Sequence, residues 1–147
     1  MKMNRRFLTL AAALSVGLCT AVAADKSIKA TPGGGRRLEK TEPPAEFVVE
    51  KDRSITINFY NAELKPVAVT TQTVTVITAG KNKTTIEFEK KGDALVSKTK
   101  LPDGEGYTLV VQFKQSADAK PQNFRFKLDL YRCGECKRAE YACSCGH

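Results

Sequence analysis

The chain holds one histidine, His147 at its C-terminus, and only two methionines, Met1 and Met3 at its start. A Ser/His/Asp or Cys/His catalytic machine would have to stand on the last residue, and no pair among the 16 acidic residues carries an acid–base signature. The chain therefore reads as a non-enzyme. No segment sustains an apolar stripe of helical period, which excludes a mainly helical domain. The glycines Gly33, Gly34 and Gly35 precede Arg36 and Arg37, but no strand leads into them and no Lys-Ser/Thr follows, so a phosphate-cradling loop is excluded as well.

What is present begins with an export signal. Lys2, Arg5 and Arg6 precede the apolar run Phe7 to Cys19, and the small residues Ala21, Val22, Ala23 and Ala24 follow. That order predicts a secretory signal peptide over residues 1–24, with no stable membrane span once it is cleaved. Cys19 does not read as a lipidation site, because Leu18 fills the place where a small residue is needed. Three of the 24 basic residues and none of the 16 acidic ones lie in that segment, so cleavage lowers the formal charge from +8 to +5. Lysines scattered along alternating strands solvate a sheet face; with export, they argue against a nucleic-acid partner. The mature protein is expected to be periplasmic or secreted.

Residues 25–44 are rich in glycine, proline and charge without an apolar period, and they read as a flexible linker. From Ala45 a two-residue alternation takes over. Its clearest case is Ser54 to Phe59, with Ile55, Ile57 and Phe59 on one face and Ser54, Thr56 and Asn58 on the other. Similar stretches recur at Phe47/Val49, Val67/Val69, Val74/Val76, Ile86/Phe88, Leu95, Tyr107/Leu109/Val111/Phe113 and Phe124/Phe126/Leu128/Leu130, separated by turn residues such as Lys91-Gly92-Asp93. The pattern predicts an all-β domain over residues 45–130, an antiparallel Ig-like β-sandwich of seven or eight short strands, with a barrel of similar size as the second choice. Its apolar face includes Ile55, Ile57, Phe59, Ile86, Phe88, Leu109, Val111, Phe113, Phe124, Phe126 and Leu128, enough to support folding without the cysteines.

Residues 131–147 form a Cys-rich tail. Four of the five cysteines, Cys133, Cys136, Cys143 and Cys145, fall there in the pattern C-x2-C-x6-C-x-C-x-H, which ends at His147. A C-x2-C turn directs two thiolates at one ion, and a tetrahedral zinc site needs four such donors. Soft thiolates select Zn²⁺ or Cu(I) over hard cations. Arg132, Lys137 and Arg138 would offset thiolate charge, and Tyr131 and Tyr141 would shield the site. The competing reading is two disulfides, which an oxidising compartment favours, with nested pairs Cys133–Cys145 and Cys136–Cys143. A third reading, a thiol redox pair at Cys133-Gly-Glu-Cys136, lacks the adjoining βαβ unit such motifs use. Strain in a Cys143–Cys145 bridge and the neighbouring cations move the balance toward metal.

The runs Thr31-Pro-Gly-Gly-Gly-Arg-Arg-Leu-Glu39, Ala45-Glu-Phe-Val-Val49, Ser54-Ile-Thr-Ile-Asn-Phe59, Leu64-Lys-Pro-Val67 and Leu101-Pro-Asp-Gly104 make the chain resemble small exported bacterial β-domains associated with heavy-metal handling. The ending from Cys133 to His147 looks like the Cys-rich tail of a subset of them. The resemblance implies metal homeostasis. It does not extend to the histidines such proteins carry near the glycine stretch, nor to the His and Met ligands of copper carriers of the CopC type, so a soft-metal role can fall only on the tail. The function expected is an exported accessory or buffering protein for Zn²⁺ or Cu(I), using Cys133, Cys136, Cys143, Cys145 and His147. The alternative is a structural or interaction module that binds an envelope protein and closes its tail with two disulfides.

Overall fold

A computed structural model describes residues 29–80 and 83–146. The signal-peptide reading and His147 lie outside the described residues. The described chain is all-β: β1 Arg36–Leu38, β2 Ala45–Val49, β3 Ile55–Tyr60, β4 Pro66–Val67, β5 Thr73–Ala79, β6 Thr84–Lys91, β7 Ala94–Ser97, β8 Thr108–Lys114 and β9 Gln122–Lys127. Every pairing is antiparallel, in the order β1-β2-β3-β7-β6-β5-β8-β9, with the short β4 also beside β3.

The two faces expected of a sandwich belong to one continuous sheet, nearly closed into a barrel-like shape. Strand β6 makes the join. Thr84 to Glu87 pair with β5, and Phe88 to Lys91 pair with β7, so one long strand serves both halves. Between β6 and β7 only Gly92 and Asp93 intervene, and Gly92 (φ 63°) takes the left-handed conformation that a two-residue hairpin turn demands.

Alternation in the sequence becomes alternation in burial. Ile55, Ile57 and Phe59 from β3, Val74 and Val76 from β5, Ile86 from β6, and Leu109, Val111 and Phe113 from β8 fill the interior. Of the apolar residues expected inside, Phe126 and Leu128 are also buried, whereas Phe88 and Phe124 only pack against the core's margin. The ends of the strand order, β1 and β9, have no mutual backbone pairing among the described residues. Instead the Arg36 guanidinium lies 4.6 Å from the centre of the Phe126 ring, and Phe47 meets that ring edge-on at 5.2 Å.

The expected linker over 25–44 requires correction across its described part. Residues 36–38 form β1, paired along β2, and Leu38 is 1% exposed. The glycines before it serve close approach. A Cβ on Gly35 would fall 2.3 Å from the Phe47 carbonyl oxygen, and the Gly35 N–H donates to Glu46 Oε1 at 2.7 Å. Glycines that loosen a chain and glycines that let two backbones touch look alike without the facing strand.

Glu46 is the fully buried anchor of this arrangement. Besides Gly35, its carboxylate accepts from the Tyr60 hydroxyl at 2.5 Å and the Asn58 amide at 3.5 Å. Glu46→Ala strips the partner from two buried donors, so it should destabilise the fold by about 1–3 kcal/mol. Urea unfolding of the two proteins measures this, and Glu46→Gln, which keeps an accepting oxygen, should cost less.

Candidate metal centre

After β9 the chain does not trail away. Leu128 is buried, Tyr141 N–H donates to the Asp129 carbonyl at 3.0 Å, and Glu140 N–H donates to the Tyr131 carbonyl at 2.8 Å. Arg132 and Ala139 bridge in antiparallel fashion, so residues 129–141 double back as a small hairpin. Its tip is the C-x2-C turn: Lys137 N–H reaches the Cys133 carbonyl at 3.1 Å, Cys133 N–H reaches the Arg138 carbonyl at 2.8 Å, and Lys137 takes φ 60°. A single 3-10 turn, Glu140–Ala142, then returns the chain to Cys143-Ser144-Cys145.

This path converges four sulfurs. Cys133 Sγ stands 3.8 Å from Cys145 Sγ, Cys136 Sγ stands 3.7 Å from Cys143 Sγ, and the four ligand atoms all lie within 4.8 Å of one another. With Zn–S bonds of about 2.3 Å, the edge of a regular tetrahedron of sulfurs is about 3.8 Å. A disulfide would bring two sulfurs to about 2.05 Å, and no disulfide joins these four cysteines. Cys133 is buried at 4% exposure, and the other three are half-buried.

Backbone N–H groups serve the sulfurs. Cys136 Sγ accepts from the N–H groups of Ser144 and Arg138, which draw its thiol down to about 6. Cys145 N–H donates to Cys143 Sγ at 3.4 Å. Burial, followed by the neighbouring Cys136 sulfur, pushes the Cys145 thiol upward. The cations assigned to charge compensation make other bonds. Arg132 Nη1 donates to the Lys137 carbonyl at 2.9 Å, Lys137 Nζ to the Gly134 carbonyl, and Arg138 Nη2 to the Thr31 carbonyl at 3.1 Å.

The tail is docked, and Tyr141 docks it. Its ring is 5% exposed, stacked on Phe126 at 6.3 Å and edge-on to Phe47 at 6.1 Å. Its hydroxyl accepts from Val49 N–H at 2.9 Å, and its carbonyl accepts from Arg36 Nη1 at 2.9 Å. Tyr141 thus fills the gap between β2 and β9, inside the barrel, instead of shielding sulfur. Tyr131, its expected companion, is 59% exposed. Sequence reasoning missed both Tyr141 as a core residue and Arg36 as its clamp. The available signal was an aromatic within a charged, cysteine-rich loop, which looks the same whether it faces a metal or a distant strand.

Fold and site together define a small antiparallel β-barrel-like domain whose C-terminal hairpin presents a four-cysteine cluster able to hold a metal ion. A scan of protein-family models found no match, and searches of curated proteins and of solved structures likewise found none. Among the described residues, no helix is long and apolar enough to cross a membrane.

Proposed function

We propose that this chain is an exported soft-metal-binding protein that holds one Zn²⁺ or Cu(I) ion on Cys133, Cys136, Cys143 and Cys145, without turnover. The observation that carries this reading is the convergence of two cysteine pairs, with sulfurs 3.7 and 3.8 Å apart, on turns whose backbone N–H groups point at sulfur. A tetrahedral four-sulfur set favours Zn²⁺ over Cu(I). His147, two residues beyond Cys145, is a reserve ligand. Between Cys136 and Cys143 lies the segment that carries Tyr141, so bound metal would hold the plug in its gap. In that role the protein is an accessory or buffer whose loaded state is also its most firmly closed one, in keeping with its resemblance to exported metal-handling domains.

The second reading, an envelope interaction module with two disulfides, draws on the same two proximities. Intact-mass measurement under native conditions, on protein recovered from its own compartment, separates them. One bound soft ion per chain with four protected thiols is expected. A metal-free chain four hydrogens lighter than its reduced form would reject the metal reading.

A further inference from the structure

We infer that the cysteine cluster is an oxidation site that releases its metal to a hydroperoxide by forming the cross-paired disulfides Cys133–Cys145 and Cys136–Cys143, while the hairpin stays docked. This inference rests on the metal reading above and adds the chemical signal that empties the site.

The argument is geometric. The sulfur pairs at 3.8 and 3.7 Å each take one cysteine from the C-x2-C turn and one from the C-x-C segment. Disulfides between them need the sulfurs to close by less than 2 Å, a movement within the reach of side-chain rotation. The Arg132–Ala139 bridge already holds the two arms side by side, so the backbone can keep its path. Pairing within each segment would leave the arms unlinked, and the single residue between Cys143 and Cys145 makes that bridge a strained one. Cross-paired disulfides replace the metal as a link between the arms, so the segment carrying Tyr141 remains tethered at both ends.

The chemistry balances within each pair. A thiolate attacks the terminal oxygen of the hydroperoxide, breaks its O–O bond, gives a sulfenic acid and expels hydroxide (from hydrogen peroxide) or an alkoxide (from an organic hydroperoxide), which is protonated to water or the alcohol. The partner thiolate attacks that sulfur, forms the S–S bond and expels hydroxide, which is protonated to water. Each pair loses two electrons to one hydroperoxide, with two protons consumed. Oxidation of both pairs leaves the ion without its four thiolate ligands. In the Cys133–Cys145 pair, the half-buried Cys145 meets the oxidant and the buried Cys133 resolves it.

The sequence supplies its own assay. Lys137 and Arg138 lie between the two segments, so trypsin cuts Cys133 and Cys136 away from Cys143 and Cys145. Full-length protein is loaded with zinc under reducing conditions, freed of reductant, treated with hydrogen peroxide and digested without reduction. One zinc ion released per chain, a mass loss of four hydrogens, and the two cysteine peptides still joined by two disulfides are expected. Proton exchange at the Val49 amide, which donates to Tyr141, should stay slow in the zinc-bound and oxidised forms and quicken at least about tenfold in the reduced, metal-free form. Separable peptides, sulfinic acids in place of disulfides, retained zinc, or fast Val49 exchange after oxidation would each overturn the switch. A reduced chain that takes up neither Zn²⁺ nor Cu(I) fails at the loading step and rejects the metal reading itself, before peroxide is added.

Discussion

Tyr141→Ala is expected to destabilise the protein by about 3–5 kcal/mol, the range for deleting a large buried aromatic. The ring is a shared surface for Phe47 and Phe126, and its loss opens a cavity where the strand order fails to close. One hydrogen bond also goes with the side chain, from Val49 N–H to its hydroxyl, whereas the main-chain carbonyl that accepts from Arg36 remains. The two contributions separate in Tyr141→Phe, which keeps the ring and the carbonyl and removes only the acceptor for Val49; about 1–3 kcal/mol is expected there. Leu64→Ala, on a side chain that is 38% exposed, is the control and should fall within about 0.5 kcal/mol of the parent. Urea unfolding of the metal-loaded proteins gives all three values. If Tyr141→Ala unfolds with the midpoint of the parent, the tail is not part of the core.

The other large effect is loss of the metal. An ion that binds only the folded chain stabilises it by about 2.7 kcal/mol at free metal a hundredfold above Kd and about 4.1 kcal/mol at a thousandfold. Chelation of the loaded protein should remove that amount, read as a fall in the urea midpoint that returns when zinc is restored. Cys136→Ser takes away a ligand and the acceptor for two backbone N–H groups. Its zinc affinity should fall by more than the roughly 10–100-fold that follows from disturbing a group outside the ligand set. Stability of Cys136→Ser should then no longer respond to zinc at concentrations that saturate the parent.

Acid should have a related effect. In the metal-free fold Cys136 titrates at about 6, below its ordinary value of 9.0, so the thiolate it stabilises helps the folded state fully above that ordinary value. The contribution is lost as pH falls through about 6. Cys145 is shifted the opposite way, so at neutral pH it gives up a proton when metal arrives, and zinc affinity should rise with pH. Because binding and docking are coupled, the effects are reciprocal: Tyr141→Ala should weaken zinc binding by the same free energy by which zinc loses its hold on the docked tail.

Most of the barrel could be read in advance, and the reason is local. Ile55, Ile57 and Phe59, or Leu109, Val111 and Phe113, declare a half-buried strand through a period of two that needs no partner to be visible. The hairpin at Gly92-Asp93 announces itself in the same way, because its geometry is confined to its own residues. Of the five ligand candidates, the gathering of the four cysteines was equally legible: thiols two and three positions apart can reach one point on any turn tight enough to bring them together.

The sequence alone therefore determined the class of fold, most of the strand positions from Ala45 onward and which cysteines could gather at one point. Tertiary structure decided the remainder. It turned Gly33 to Leu38 from an apparent linker into a closely packed edge, since the need for Gly35 exists only once Phe47 faces it. It put the two cysteine segments at 3.7 and 3.8 Å across a seven-residue gap and a twelve-residue gap, distances that the Arg132–Ala139 bridge creates and no spacing rule contains. It also sent Tyr141 into the space between β2 and β9. A tyrosine near cysteines has no intrinsic preference between shielding them and filling a hole bounded in part by a strand more than ninety residues earlier; only the hole, present once β1 and β9 stop short of pairing, makes that choice.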